Sequence, residues 1–290
     1  MQEGKGFGLQ SPREREIAGL DSLELPIPSR PPLPSRVWRG AWPQLTAIGL
    51  VLLLWQVVVW ARLKPEYILP GPATVLPRLF DGIQSGDLLV AGATTMQRAS
   101  FGFALALVIG SAIGLAILRW RLLRAAVASL ITGLQTMPSI AWFPLAILIF
   151  GLTEQTIMFV IVLGAAPSVA NGVIHGVDHI PRLLLRAGRV LGARGVNRYR
   201  FVVFPAALPS FVAGMRQAWA FAWRSLMAGE LLVIIAQKPS LGARLQLQRD
   251  LSDAEGLMAT MLVVLAIGIV VDTLIFGARD RTIRSRRGLT

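Results

Sequence analysis

Apolar stretches too long for the core helices of a soluble domain recur along this chain, separated by short segments rich in arginine and glycine. A helix crosses the hydrocarbon core of a bilayer in about 20 residues. Six stretches of about that length can be drawn, at 44–61, 90–118, 125–151, 155–173, 206–236 and 256–277. Composition agrees: only 16% of the 290 residues are charged, against about a quarter in soluble domains. Mean hydropathy is +0.59. The expected fold is all-α, a polytopic helical membrane protein with about six transmembrane helices.

The formal net charge of +13 would suit a nucleic-acid partner if it formed one basic patch on a soluble domain. It does not, because the arginines are divided among the segments between the apolar stretches, so no nucleic-acid partner is expected. With no cysteine in the chain, disulfides, thiolate metal sites and cysteine nucleophiles are excluded. Residues 1–41 lack an apolar run and carry Pro26, Pro28, Pro31, Pro32 and Pro34, so they read as a disordered tail ahead of a first transmembrane helix at 42–64. Residues 279–290 read as a basic tail. Trp38, Trp42, Trp60 and Trp120 fall near the ends of stretches, where interfacial aromatics belong.

Orientation follows from lysine and arginine. The segments 1–41, 119–124, 175–205 and 278–290 together hold 20 of them, and the opposite set holds 6. The positive-inside rule then puts both termini and the 175–205 loop in the cytoplasm. The expected location is the bacterial inner, or plasma, membrane.

Several apolar stretches are interrupted. The third contains Gln135, Pro138, Trp142 and Pro144, and the fourth contains Pro167 and Asn171. Proline at membrane depth needs compensating partners nearby, as in a packed bundle centre or along a path. Arg98, Arg216, Arg224 and Glu230 lie in or near spans, where a charge costs roughly 2.5–3.5 kcal/mol on insertion scales. They should face the bundle interior or pair with one another. Gln135, Trp142, Asn171 and Trp223 complete the candidate solute path with them, and its positive balance would suit an oxyanion. The alternative is that Arg98 snorkels outward and Arg224 pairs with Glu230 in packing. Gly110 and Gly114 form a small-xxx-small pair suited to helix packing within the subunit. His175 and His179 have helical i, i+4 spacing but lack the further ligands of a zinc site, so no metal is expected.

The loop from Arg186 to Pro209 is basic and broken by glycines, with Ala187, Val190, Leu191 and Val196 as a modest apolar side. It reads Arg186-Ala187-Gly188, then Gly192 after three residues, then Val202-Val203-Phe204-Pro205 after nine. This spacing resembles the cytoplasmic loop of membrane subunits of binding-protein-dependent ABC importers, Glu-Ala-Ala, three residues, Gly, nine residues, Ile-x-Leu-Pro. Arg186, Gly188 and Phe204 depart from that pattern, with the charge at 186 reversed. Leu69-Pro-Gly-Pro72, Met137–Gly151, Ala222–Glu230 and Gly268–Asp272 are similar to segments of the nitrate/sulfonate/taurine subfamily, in the same order over residues 65–278.

The resemblance implies a type I ABC importer permease fold, with a core at 65–278 and a coupling loop at 175–205. It implies that Arg182, Arg186, Ala187, Gly188, Gly192, Ala193, Val202, Phe204 and Pro205 meet an ATPase. Expected partners are two ATP-binding subunits, an extracytoplasmic solute-binding protein and a second permease copy, with aliphatic sulfonates, taurine or nitrate as first candidate solutes. The chain has no Gly-x-x-x-x-Gly-Lys-Ser/Thr loop, so ATP and magnesium are expected on the partner and no cofactor or catalysis on this chain. An ATP-independent secondary transporter is the competing reading, although no internal repeat supports it.

Overall fold

The computed structural model describes residues 33–120, 129–131, 133–235 and 238–273. Most of the expected N-terminal tail, the start of the third expected span and the basic C-terminal tail lie outside the described residues. Every regular element among those described is helical. In chain order they are α1 (Leu33–Trp60), α2 (Pro72–Gln84), α3 (Asp87–Arg119), a 3₁₀ turn (Ser139–Trp142), α4 (Phe143–Phe150), α5 (Glu154–Asp178), α6 (Arg182–Val190) and α7 (Gly195–Arg198). A π turn (Tyr199–Val203), α8 (Phe204–Leu232), α9 (Leu241–Asp250) and α10 (Ala254–Val271) follow. A short helix at Ser129–Thr136 precedes the 3₁₀ turn.

The chain divides after Val57 into two compact units. The first contains most of α1, which begins at Leu33, inside the segment expected to be unstructured. Pro34 is compatible with that start, because the first turn of a helix has no intrahelical use for its N–H groups.

The second unit is built around α5, which packs against α3 on one side and α8 on the other. On α3, the buried residues Ala99, Gly102, Ala106, Gly110, Gly114 and Ile117 recur at intervals of three or four, which keeps them on one face. A Cβ on Gly110 would lie 2.7 Å from Val169 Cβ, and one on Gly114 would lie 2.8 Å from Val173 Cβ. The small-xxx-small pair therefore seats α3 on α5 within the subunit. At the α5–α8 crossing, a Cβ added to Gly214 would stand 2.6 Å from the Cα of Gly172. The two backbones touch there, and no larger residue fits. A buried cluster of Phe143, Ile157, Val160, Ile161, Ala218, Ala222 and Leu226 fills the space around these contacts.

The interruption expected in the stretch 125–151 is a sharp break: Ser129–Thr136 and Ser139–Phe150 meet at a bend of 98°. Pro138 sits at the break in an extended conformation (φ −58°, ψ 128°), without an N–H to continue the helical ladder. By length and hydropathy, α3, α5 and α10 can each cross a membrane, and the bent pair makes up to a fourth. The other two of the six expected spans are helical but different in character. In α1 the apolar part is Thr46–Trp60. In α8, 29 residues long, Arg216, Arg224 and Glu230 dilute the hydropathy, and its small-residue face is spent on α5.

The Gly172–Gly214 crossing yields a direct expectation. Gly214→Val should destabilise the detergent-solubilised chain by about 1–3 kcal/mol, the usual cost of overpacking. A thermal melt indistinguishable from the wild type would show that the backbones do not meet there.

Candidate functional site

The second unit carries candidate functional side chains in three places. At one end, residues 179–203 link α5 to α8. The helix α5 runs on to Asp178, so His175 belongs to it and not to the loop. The His175 and His179 rings are 5.5 Å apart, and His179 Nδ1 is 3.0 Å from the His175 carbonyl.

The helix α6 ends at Val190 in a closed cap. The N–H of Gly192 donates to the Arg189 carbonyl (3.1 Å) and that of Ala193 to the Gly188 carbonyl (2.9 Å). This is the paired reverse bonding of a Schellman motif, which needs a left-handed residue at Gly192. Gly192 has φ +81°, and open space where its Cβ would be. The motif glycine therefore serves the cap. Close approach occurs instead at Gly188, which is buried, with a hypothetical Cβ 2.7 Å from Val202 Cγ2. Two ends of the sequence motif thus touch.

What α6 leaves outward is apolar and basic. Leu183, Val190 and Leu191 are 76%, 87% and 86% exposed. Arg182, Arg186, Ala187 and Arg189 are exposed beside them. Pro205 does not end this segment, and the chain stays helical from Gly195 through the π turn into α8. Proline at 205 crowds the carbonyl four residues earlier, at Phe201, which lies in the wider π turn. Phe204 is 64% exposed at the start of α8.

At the opposite end lies a buried ion network. Arg98, 5% exposed on α3, does not snorkel. Its Nε and Nη2 donate to the two carboxylate oxygens of Glu154 (3.0 and 2.7 Å), and Nη1 donates to Glu230 Oε1 (2.9 Å). Glu230, fully buried on α8, also accepts from the Thr95 hydroxyl (2.9 Å to Oε2) and the Gly242 N–H (3.1 Å). Thr95 in turn accepts from the Leu241 N–H (3.0 Å), and Ser240 Oγ from the Ala243 N–H (3.3 Å). The first N–H groups of α9, which a helix cannot satisfy itself, are met by oxygens from α3, α8 and the preceding residue. Lys238 Nζ lies 3.3 Å from Glu154. Glu230 is therefore the partner of Arg98, not of Arg224.

The third place is the bend. A cavity of ≈ 340 Å³ opens there, lined by Gln135, Thr136, Ser139, Trp142, Gly164 and Arg224 among others. Behind it, Gln135 donates to Ser168 Oγ (3.0 Å) and accepts from Asn171 (3.2 Å). The eight residues expected to line one path are thus divided. Gln135, Trp142, Asn171 and Arg224 gather at the bend, while Arg98 and Glu230 form the ion network. Arg216 makes a bidentate pair with Asp272 at 2.8 and 2.6 Å. Trp223 stacks on Trp219 with ring centroids 6.3 Å apart.

Thr95 and Glu154 escaped the sequence reading. A signal existed for the first, since Thr95 and Arg98 at i, i+3 share a helix face. Glu154 falls between the stretches drawn at 125–151 and 155–173, and an acid in the first turn of a helix is the available cue.

The described residues thus form a helical chain with membrane-length apolar helices, a proline-broken segment, a buried ion network at one end and a capped, apolar-and-basic linker at the other. Residues 100–285 match the family described as the inner membrane component of binding-protein-dependent transport systems. The chain belongs to this family, as an ABC importer permease subunit. A riboflavin transport system permease protein of Chloroflexus aurantiacus is 31% identical over 79% of this chain and 85% of its own length. A putative aliphatic sulfonates transport permease protein of Bacillus subtilis is 26% identical over 83% and 87%. Among solved structures, a chain of the inward-facing methionine ABC transporter MetNI shares the fold (TM-score 0.54, 22% identity, 68% of this chain and 95% of that one).

Removing Arg98 would leave the Glu230 carboxylate buried without its counter-charge. Arg98→Ala should therefore cost about 3–5 kcal/mol in chemical unfolding, and adding Glu230→Gln should recover part of that loss. Strictly additive losses in the double variant would show that the two groups do not interact.

Proposed function

We propose that this chain is the translocating subunit of an ATP-driven importer, taking a small anionic solute from a binding protein and passing it inward. The surface of α6 carries this reading. Leu183, Val190 and Leu191 expose large apolar side chains in a segment rich in arginine, an arrangement that fits a groove on a soluble partner better than open water. Family membership supports an ATPase and a binding protein as partners. In this reading two ATP-binding subunits receive α6 and the π turn, with Arg182, Arg186, Ala187, Gly188, Gly192, Ala193, Val202, Phe204 and Pro205 forming or supporting the contact. Arg186, exposed at this surface, reverses the charge of the family's usual residue and would call for a complementary acid on the ATPase.

The 20-to-6 division of lysine and arginine supports a cytoplasmic position for this end and for both termini. A second copy of the chain would complete the path in a homodimer. ATP and magnesium belong to the partner subunits in this scheme. The solute is an oxyanion of the sulfonate, taurine or nitrate kind, supported by the sulfonate relative and by the arginine at the bend.

Gly192→Val tests the coupling. A β-branched residue cannot hold φ +81° without strain, so the α6 cap should open while the membrane core stays folded. ATPase co-purification and ATP-dependent uptake in proteoliposomes should both fall at least about tenfold, roughly 1.4 kcal/mol in binding terms. Unchanged association and uptake would remove α6 from the coupling role.

A further inference from the structure

Where α3, α5 and α8 approach the linker, they leave an apolar groove of ≈ 630 Å³ between them. Each element gives it one face, at helical spacing. From α3 come Ser111, Leu115 and Leu118, and from α5 Val173 and Val177. The third wall is Tyr199, Val203, Ala207 and Phe211, at steps of four from the π turn into α8. Val202, which meets Gly188 of α6, is not in this wall. The groove therefore lies on a different face of the run from the α6 contact.

Its charged groups are gathered at one end. Arg119 is the last residue of α3, and it is exposed. Among the described residues, no carboxylate is within ion-pair distance of it, Asp178 of the same wall included. Tyr199 and Phe204, both exposed, line the groove at this end, and Trp120, also exposed, follows Arg119 in the chain. A guanidinium among large exposed aromatics belongs at a membrane–water interface.

Depth and shape agree with a lipid. Ser111 lies eight residues before Arg119 on α3, so the groove runs about 12 Å inward from the guanidinium. The hydrocarbon core of a bilayer is about 30 Å thick, and this depth is most of one leaflet. Two of the three walls stand on α3 and α5, helices long and apolar enough to cross a membrane, which favours a lipid over a soluble partner. An apolar slot one leaflet deep, with an unpaired cation at its mouth, complements an acyl chain below and a phosphate above.

We propose that this groove binds an anionic phospholipid of the leaflet on the linker side, with one acyl chain between α3 and α8 and the phosphate on Arg119. The lipid then lies against Tyr199 and Val203 of the π turn, through which the linker joins α8. Phe204 belongs to this contact and supports the coupling segment from the membrane side. The choice of the cytoplasmic leaflet, where anionic lipids concentrate, rests on the orientation proposed above. The binding itself depends neither on that orientation nor on an ATPase, so it can be measured on this chain alone.

The test takes the full chain purified in detergent and adds phosphatidylglycerol, with phosphatidylcholine of the same acyl chains as the match without net charge. Native mass spectrometry should show one phosphatidylglycerol retained about fivefold more strongly than phosphatidylcholine, the contribution of one arginine near a membrane surface. Its binding should raise the thermal midpoint by about 3 °C or more. Arg119→Gln should bring the two lipids within about twofold of each other. Ser111→Phe, which fills the inner end of the groove, should weaken retention of both. A phosphatidylglycerol with a photoactivatable acyl chain should label the wild type on α3 near Leu115 or on α8 near Phe211, which decides the site even if a variant fails to fold. Equal retention of the two lipids by the wild type, or labelling confined to other helices, overturns the proposal. So does a preference that survives in Arg119→Gln. Loss of the preference to inorganic phosphate at the same concentration overturns it in favour of a free-anion site. A chain that dimerises through this face with no lipid retained overturns it in favour of an interface between copies.

Discussion

In a bilayer an apolar side chain gains little by leaving lipid for protein, so helices there hold together by close contact and not by escape from water. The slab of α3, α5 and α8 depends on that constraint. Where Gly172 meets Gly214 the two backbones touch, and along α3 a stripe of Ala99, Gly102, Ala106, Gly110 and Gly114 lets α5 approach. These seams position the ion network and the bend. The α3–α5–α8 packing brings Glu154 and Glu230 to Arg98 at one end and sets the break after Thr136 against the middle of α5 and α8.

Charge is sorted by the same architecture. Where a guanidinium helps to hold helices together it is neutralised: Arg98 joins α3 to α5 and α8, and Arg216 joins α8 to Asp272 just beyond α10. The Glu230 carboxylate also satisfies a backbone N–H of α9, so a polar group that would be costly in hydrocarbon becomes the fixing point for a whole helix. Among the described residues, Arg224 at the bend has no carboxylate partner and lines a cavity instead.

Much of this was readable in the chain. Hydropathy and length located α3, α5 and α10, because their apolar runs are nearly uninterrupted. The loop spacing was legible since Gly192 holds a left-handed helix cap that other residues enter only with strain. The break at Pro138 could be anticipated as an interruption, but a 98° bend is a tertiary outcome that one proline does not dictate. The partner of Arg98 was hidden for a similar reason. Glu154 is 56 residues away and Glu230 is 132 away, and nothing local links them. A helical start at Leu33 was masked by a run of prolines that forbids helix interiors but tolerates a first turn.

The unbroken path from α7 through the π turn into α8 has a mechanical meaning. Gly195 to Leu232 is a single helical run, so at 1.5 Å per residue its path is about 55 Å long, with Val202 near one end, Arg224 past the middle and Glu230 near the other. In the proposed coupling, a push at the loop end would travel along this run to the bend as tilt or rotation, and the same movement would pull on the carboxylate that ties down α9. The π turn and Pro209 near the loop end are where such a run would flex first.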